Sequence, residues 1–441
     1  MWVVAEITIR LRYRGYPDRK EARNLSRLFG CCRVVANDAI RARQAARALG
    51  WPAPPRSVLS RELITDAKLT ADRAFLGEVS AVALQQALAD LDRAYRDFFK
   101  SRKGERKGRR LGAPRLKSRR DRRQTARFTR NARFKILPGR SDREAVLRLP
   151  KVGDIRFVMS RPLPSIPSSV TVIREADGRT YLSFVCTVAD RPAVATGREC
   201  GIDLGLSAFA TILTTDEAGA ERVAKVKTPR FLRRRARALR RSQRSLSRRQ
   251  KGSKNRDKAR QKVAVAHRKV RDARLDHAHQ TAARIIAAHD TICVEDLNVA
   301  GIARGRTAKS ASDQALGQFL RVLTEKAERQ GRTIVRVDRF FPSTQLCSHC
   351  GEQTGPRGRQ DLRVRHWTCS SCGASHARDV NAARNLLTEG FRTLHKEHPN
   401  PVAAGRAETL NASGSRTSDT RPGAVGVEPG RTTGEPSCLA A

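Results

Sequence analysis

The chain has 441 residues, of which 89 are Lys or Arg and 43 are Asp or Glu, so its formal net charge is +46. Such a charge destabilises a compact fold unless a polyanion neutralises it, which argues against an enzyme of small metabolites. Apolar residues make up 39% of the chain, enough to build hydrophobic cores, so a fully disordered basic protein is also excluded. No run of about 18 apolar residues occurs and Arg10 interrupts the first short one, so we predict no membrane span and no secretory signal.

The first half of the chain is predicted to form one strand, a block of helices and then a set of strands. Apolar residues alternate over 1–13, which predicts a strand, and a helical spacing follows over 19–49. After a proline-rich break, two more helices are predicted over 57–72 and 78–100. The apolar period then changes to two, and residues 170–185 are typical of a hairpin. The simplest arrangement is a small barrel or sandwich with an inserted helical bundle.

The second half alternates strands with helices, which predicts an α/β unit. Apolar strands are predicted at 200–213, where one strand turns into a second, at 291–296 and at 333–340. The predicted helices cover 229–250 and 255–289 with a break at Gly252-Ser253, then 313–330 and about 379–396. Residues from about 400 onward are rich in Gly, Ser, Thr, Pro and Ala without periodicity, which predicts a disordered tail.

The positive charge is concentrated in two segments. Residues 100–135 hold 17 Lys or Arg and two acids, and residues 230–274 hold 20 and two, for net charges of +15 and +18. Solvated charged faces would mix the signs, so nucleic acid is the favoured partner, with anionic membrane as a weaker alternative. Leu232, Leu239 and Leu246 form a thin heptad stripe, which suits packing on protein better than binding to a membrane surface. Aromatic residues are only 5% of the chain, which favours clamping of a duplex or structured RNA over base stacking.

Four of the ten cysteines form two closely spaced pairs, Cys347 with Cys350 and Cys369 with Cys372, and 18 residues separate the pairs. Two such turns supply four sulfurs for tetrahedral Zn²⁺, whereas the alternative of two disulfides is disfavoured without a secretory signal. Four sulfurs complete the zinc coordination, so His349 and His366 are predicted to be surface or nucleic-acid contacts. The other cysteines lie mostly in apolar contexts and are predicted to be buried inert thiols: Cys31, Cys32, Cys186, Cys200, Cys293 and Cys438.

Three carboxylates stand out because acids are scarce and these lie at apolar strands or open a helix. Asp203 lies in a buried-type strand, Glu295 ends another, and Asp379 opens the last predicted helix. Taken singly they could be a turn residue, an arginine partner and a helix cap. Taken together they fit one pattern, since three converging carboxylates can hold two Mg²⁺ about 4 Å apart for phosphodiester hydrolysis. No Ser/His/Asp or Cys/His set competes, and the phosphate-loop motif GxxxxGK[ST] is absent, so ATP hydrolysis is not predicted.

Several segments occur in an order that points to one family. They are GIDLGL at 201–206, VEDLNV at 294–299, FFPSTQLCSHCG at 340–351 and CSSCGASHARDVNAARNLL at 369–387. FGCCRVVANDAI at 29–40, PRLKSRR at 114–120 and the basic run at 239–270 precede them or lie between them. Over roughly residues 5–395 the chain resembles the TnpB (OrfB) family, transposon-encoded RNA-guided DNA nucleases related to compact type V CRISPR effectors. One departure is GYPDRKEA near the start, where the family more usually has YPTKEQ.

The resemblance implies an α/β plus β fold. It implies an RNase H-like (RuvC) nuclease core with a zinc-ribbon insert, preceded by a wedge β-barrel with an inserted helical recognition lobe. The implied boundaries are 1–14 and 124–195 for the wedge, 15–123 for the recognition lobe, 196–346 for the nuclease core, 347–372 for a zinc ribbon that binds target nucleic acid, 373–398 for the final helix of the core and 399–441 for the tail.

The resemblance also implies the site residues and partners. The catalytic, Mg²⁺-binding acids would be Asp203, Glu295 and Asp379, and structural zinc would bind Cys347, Cys350, Cys369 and Cys372. The implied partners are a guide RNA and target double-stranded DNA, without membrane or small-molecule substrate, in a prokaryotic cytoplasm close to the nucleoid. The base pairing of the guide would supply sequence recognition beside a short flanking DNA motif.

The leading hypothesis is therefore an RNA-guided, Mg²⁺-dependent DNA endonuclease of a transposon that uses one nuclease site for both strands. A compact type V CRISPR effector would carry the same residues. An RNA-guided DNA-binding regulator that does not cut is a second hypothesis, although no acid of the triad is lost. An unguided DNA-binding accessory of transposition is a third.

Overall fold

The structure is a computed structural model. It describes residues 6–106, 108–119, 121, 123–189, 193–302, 308–357 and 360–397. Cys438 and the predicted tail lie outside the described residues. No helix within these ranges combines the length and the apolar character needed to cross a membrane.

A seven-stranded antiparallel sheet joins the first strand of the chain to the strands that follow the helical block. Its strands are β1 (Glu6–Tyr16), β2 (Gln124–Thr129), β3 (Lys135–Pro138), β4 (Glu144–Leu149), β5 (Gly153–Val158), β6 (Ser169–Arg174) and β7 (Thr180–Ala189). The order is β2-β6-β7-β1-β5-β4-β3, so β1 lies at the centre and the sheet is an open half-barrel. The predicted hairpin is confirmed, because β6 and β7 pair from Arg174 opposite Thr180.

Aromatic packing forms the centre of this sheet's core. Tyr13 of β1 contacts Phe157 and Phe184 edge-on, with ring centroids 5.6 and 5.7 Å apart. The three rings are at most 2% exposed. Burial of large apolar area is the main stabilising contribution available to such a sheet, and it explains the alternation of apolar residues along β1.

The helical block is inserted between β1 and β2. Its helices are α1 (Arg19–Ala48), α2 (Arg56–Ser60) and α3 (Ala81–Arg102). Asp18 caps α1 by accepting a hydrogen bond from the Glu21 amide, and the Glu21 carboxylate accepts one in return from the Asp18 amide. The helix predicted over 57–72 is only partly correct, since a π turn and two 3₁₀ segments follow α2. Leu59 and Ile64 are both buried, and their five-residue spacing suits the wider π turn.

A five-stranded mixed sheet forms the second half. Its strands are β8 (Glu199–Asp203), β9 (Ala208–Thr215), β10 (Glu221–Lys227), β11 (Thr291–Glu295) and β12 (Thr333–Val337), in the order β10-β9-β8-β11-β12. The first three strands are antiparallel neighbours, whereas β8, β11 and β12 run parallel. The C-terminal ends of β8 and β11 therefore meet at the same edge of the sheet.

Among the residues that the structure describes, six helices accompany this sheet. They are α4 (Phe231–Ser247), α5 (Lys254–Ala288), α6 (Val299–Ile302), α7 (Ala308–Gln314), α8 (Leu316–Arg329) and α9 (Arg378–Glu397). The predicted break between the basic helices is confirmed: Gly252 has φ +90°, and Ser253 caps α5 by accepting a hydrogen bond from the Arg256 amide. The helix predicted over 313–330 divides at Ala315, which has φ +54°.

The helices cover the two faces of the sheet differently. Cys200 and Ile202 of β8 belong to the hydrophobic core formed with α5 and α8, which includes Ile285 and Phe319. Gly201 lies between them in sequence and therefore faces the opposite side, where it meets α9. The basic helix α4 has no fully buried residue, and its predicted leucine stripe is half-buried.

A small cysteine-containing unit lies between β12 and α9. It has a two-stranded hairpin of β13 (His366–Thr368) and β14 (Ser375–Ala377) and an isolated bridge between Leu346 and Gln353. β14 ends at Ala377 and α9 begins at Arg378, so the hairpin leads directly into the last helix.

Candidate functional site

The three predicted carboxylates lie on the side of the five-stranded sheet that α9 covers. Asp203 is the last residue of β8 and Glu295 is the last residue of β11, and the parallel register that pairs Val294 with Ile202 continues to these two acids. Asp203 alternates with Gly201, so both face α9. Asp379 is in the first turn of α9, one helical turn before Ala383. The sheet edge and the start of the helix therefore bring the three residues together.

The close approach of α9 depends on two glycines. A Cβ atom at Gly201 would overlap the carbonyl oxygen of Ala383 and lie 3.0 Å from the Cβ of Leu387. A Cβ atom at Gly390 would overlap the Sγ of Cys293 on β11. Only glycine, which has no Cβ atom, allows contacts this close. Because Ala383 and Leu387 lie on the face of α9 that carries Asp379, this contact determines how near Asp379 lies to the sheet edge.

Burial and neighbouring negative charges raise the pKa values of two of the acids at this site. Desolvation raises the pKa of Asp203 to about 7, and the negative charges of Asp379 and Glu295 add to the rise, while Arg378 opposes it. Desolvation also raises the pKa of Glu295. Neither acid forms an ion pair with another described residue, whereas Asp379 lies 3.8 Å from the guanidinium of Arg365. Two unneutralised carboxylates at one edge suit a divalent cation with oxygen ligands.

The four predicted zinc ligands lie together. Their sulfur atoms are all within 4.8 Å of one another, with 3.7 Å from Cys347 to Cys372 and 3.6 Å from Cys350 to Cys369. A tetrahedral zinc with Zn–S bonds of about 2.3 Å separates its sulfurs by about 3.8 Å, a value that these two separations already match. Within the described ranges these cysteines are the one group gathered closely enough to share an ion, and the three carboxylates are less tightly gathered.

Two side chains support the sulfur cluster from outside. The hydroxyl of Thr354 donates to the Cys369 sulfur over 3.1 Å, and this hydrogen bond contributes most to lowering the pKa of Cys369 to about 6. The Nε2 atom of His376 lies 3.0 Å from the Cys347 sulfur. His376 is 7% exposed, unlike the exposed His349 and His366. The thiolate form favoured at Cys369 is the form that binds zinc.

Sequence reasoning missed a second set of polar residues on α9. Asn381 and Asn385 are 1% and 8% exposed, although asparagine is usually a surface residue. Their side chains hydrogen-bond to the backbone that leads into the first cysteine pair. The signal available in the sequence was two asparagines four residues apart within an otherwise apolar helix face, directly after Asp379.

Positive charge lines a large cavity away from the acid edge. The cavity has a volume of about 1050 Å³ and lies between the β6–β7 turn and the basic helices α4 and α5. Arg174, Arg260, Arg271 and Arg274 contribute to its lining.

The remaining scattered cysteines within the described ranges are buried, as predicted: Cys31, Cys32, Cys186, Cys200 and Cys293.

Comparison with known proteins agrees with these features. A family model described as "Probable transposase" (OrfB_IS605) matches residues 183–306, one described as "Cas12f1-like, TNB domain" matches residues 317–386, and one described as "Helix-turn-helix domain" matches residues 1–50. A Streptomyces pristinaespiralis protein named "Putative RNA-guided DNA endonuclease" is 38% identical over 386 residues, covering 86% of this chain and 89% of that protein. This chain belongs to the TnpB (OrfB) family.

Further similarities place the TnpB chain among more distant relatives. The Escherichia coli K12 protein InsQ, also named as an RNA-guided DNA endonuclease, is 26% identical and covers 86% of this chain and 91% of its own length. The fold resembles that in a structure titled "Cryo-EM structure of the Cas12f1-sgRNA-target DNA complex", with a TM-score of 0.57, 13% identity and coverage of 86% and 98%. In the stretch matched by the helix-turn-helix model, the described residues form β1 and the single helix α1.

Proposed function

We propose that the protein is an RNA-guided DNA endonuclease. Its relatives in Streptomyces pristinaespiralis and Escherichia coli carry that name, and a similar fold occurs in a Cas12f1 complex with guide RNA and target DNA. The net charge of +46 and its two basic segments supply the phosphate contacts that such a ribonucleoprotein needs. The single observation that carries the proposal is that Asp203 and Glu295 end neighbouring parallel strands at one sheet edge while Asp379 begins the helix packed on the same side.

The nuclease step is assigned to these carboxylates. Asp203 and Glu295 end neighbouring parallel strands and Asp379 approaches from α9, so their oxygens would hold Mg²⁺ between sheet and helix. When bound, such a metal would supply a nucleophilic water and stabilise the leaving 3′ oxygen of a phosphodiester. The chain's own contribution is to orient the three carboxylates and to provide Arg365, whose exposed guanidinium can contact a phosphate.

The other parts of the chain receive roles from the same proposal. Residues 1–14 and 124–195 form the wedge, 15–123 the recognition lobe, 196–346 and 373–398 the RuvC-like core, and 347–372 a zinc ribbon that contacts target nucleic acid. The basic helices α4 and α5 and the cavity beside them would hold guide RNA and its heteroduplex.

The test is cleavage of matched double-stranded DNA by the RNA-loaded protein with Mg²⁺. Asp203→Asn preserves shape and removes a ligand charge, so we expect cleavage to fall by at least about 1000-fold while guided DNA binding persists. Asp216→Asn is the matched control, because Asp216 lies in the β9–β10 turn, where its Oδ1 accepts from the amides of Ala218 and Ala220. Equal cleavage by wild type and Asp203→Asn would contradict the assignment. Binding without cleavage by the wild type would favour a regulator.

A further inference from the structure

The chain that enters the zinc cluster is held to α9 by two buried asparagines. The amide of Ser348 donates to Asn381 Oδ1 over 2.9 Å, and Asn381 Nδ2 donates to the carbonyl of Leu346 over 2.7 Å. Asn385 Nδ2 donates to the carbonyls of Ser343 and Leu346, each over 2.8 Å. Asn381 therefore binds the residue before Cys347 and the residue after it.

These asparagines lie on the opposite side of α9 from the acid site. Asp379 shares a helix face with Ala383, which contacts Gly201 of the sheet. Asn381 is two residues after Asp379, which places it about 200° around the helix axis from Asp379. Asn385 follows Asn381 by about one helical turn. The first turns of α9 are thus held by the sheet on one side and by the cysteine unit on the other. A shift of either contact moves the turn that carries Asp379.

Ordinary packing does not require asparagine at these positions. A buried amide is tolerated only when its donor and acceptor groups are both satisfied, whereas alanine or leucine would fill the space without that requirement. Asn381 satisfies both groups on the backbone around a zinc ligand. A third side chain of α9 also contacts the cysteine unit, because Arg384 donates to Ser348 Oγ over 3.1 Å. Arg384 donates in addition to the Glu221 carboxylate over 2.9 and 2.5 Å. The cysteine unit, α9 and β10 are joined through one turn of helix.

We propose that Asn381 is a positioning residue that couples the four-cysteine zinc site to the carboxylate of Asp379. This rests on the proposed function, because it assigns Asp379 to the divalent-metal site. When zinc holds Cys347, the hydrogen bonds from its flanking residues fix the start of α9, and Asp379 is presented to the sheet edge. When the cysteine unit loosens, Asp379 is presented less accurately. Since coupling between the affinities of two sites is reciprocal, a divalent cation at the acids raises the affinity of the cysteines for zinc, and we expect this gain to appear as slower zinc release.

The test compares full-length, RNA-loaded wild type with Asn381→Ala. Zinc release to a chromogenic chelator is measured with and without Mn²⁺, and the Mn²⁺ concentration for half-maximal cleavage is measured in parallel. In wild type we expect Mn²⁺ to slow zinc release severalfold, and Asp203→Asn to abolish that effect. In Asn381→Ala we expect zinc release to become insensitive to Mn²⁺ and the half-maximal Mn²⁺ concentration to rise about tenfold.

The matched control is Asn24→Ala. Asn24 also lies on a helix, α1, and donates to a backbone carbonyl, that of Val152, over 2.9 Å, and neither α1 nor the seven-stranded sheet carries the acids or the four cysteines. We expect it to lower the melting temperature without changing Mn²⁺ dependence or zinc release. If Asn381→Ala behaves like Asn24→Ala, the coupling is overturned. If Asn381→Ala does not fold, Asn381→Ser, which keeps a shorter polar group, takes its place under the same criterion.

The coupling and the proposed function fail in different ways. If the wild type does not cleave DNA but Mn²⁺ still slows zinc release through Asp203, the endonuclease proposal fails and the coupling stands. If the wild type cleaves and zinc release ignores Mn²⁺, the coupling fails and the endonuclease proposal stands. If neither occurs, both are overturned.

Discussion

At the scale of single residues, Asp203 is the group whose chemistry the fold alters most clearly. Its pKa is raised to about 7 by desolvation and by the charges of Asp379 and Glu295. A buried carboxylate with like-charged neighbours and no ion pair is costly unless protonated or bound to metal. The residue that would be most useful for metal binding is therefore one that destabilises the metal-free protein near neutral pH.

A stability measurement follows from this sign. The folded-state pKa of Asp203 lies above the ordinary 3.8, so the folded protein favours the protonated acid. The stability that this protonation contributes to the folded protein is present below about pH 4 and is lost as the pH rises to about 7, where the carboxylate forms. We expect Asp203→Asn to raise the free energy of unfolding of the metal-free protein at pH 8 by about 2 kcal/mol, after allowance for partial solvent exposure. The gain should vanish near pH 4. Denaturant unfolding across this range checks it, and a gain that does not depend on pH would contradict it.

At the scale of elements, the contact between β8 and α9 determines the site. Gly201 brings the strand against the backbone of α9, and Asp203 and Asp379 lie just beyond that contact. No flexible side chain separates the two backbones at this point. Any added volume must therefore move the whole helix.

Gly201→Ala tests that dependence. The new Cβ would overlap the Ala383 carbonyl oxygen, so α9 must shift, and we expect a loss of about 1–3 kcal/mol in stability together with a large loss of cleavage. Gly77→Ala is the matched control, because a Cβ there meets nothing within 4 Å. Thermal unfolding and cleavage are measured for both variants. Unchanged cleavage in a folded Gly201→Ala protein would show that the close approach is not needed.

Helices and strands could be predicted well from the sequence where apolar residues follow a single spacing. The helix at 19–49, the two basic helices and the hairpin at 170–185 are confirmed, because capping residues, Gly252 and apolar alternation act locally. The helix predicted over 57–72 was only partly correct, because tertiary burial of Leu59 and Ile64 outweighs the local helical spacing. The cysteine cluster could be predicted from spacing alone, since both pairs lie on tight turns.

The arrangement around the candidate site was harder to predict. That three acids face one side of the sheet follows from strand register and from a helix that is distant in sequence, neither of which local patterns specify. The Asn381 contacts depend on backbone groups more than 30 residues away, so the spacing of Asn381 and Asn385 could indicate a buried polar pair but not its partners. The catalytic assignment of Asp203, Glu295 and Asp379 and the domain boundaries stay predictions.

At the scale of the whole molecule, the acid site occupies a small part of a strongly basic chain. The segments at 100–135 and 230–274 carry +33 of the net +46. Both lie outside β8, β11 and α9, which carry the three acids. The candidate acid site and the two basic segments therefore occupy different parts of the chain. Such a separation suits a protein whose target is chosen by a bound RNA rather than by contacts beside the acids.

The most direct test of RNA guidance begins with the RNA that the protein carries. The protein is purified from cells that express its native locus, the bound RNA is sequenced, and cleavage is measured on DNA matched to the variable end of that RNA. We predict a discrete RNA with a constant part and a variable 3′ end, Mg²⁺-dependent cleavage of matched DNA, and retargeting when the variable end is replaced. Random cellular RNA, or cleavage that ignores the replaced end, would contradict the account.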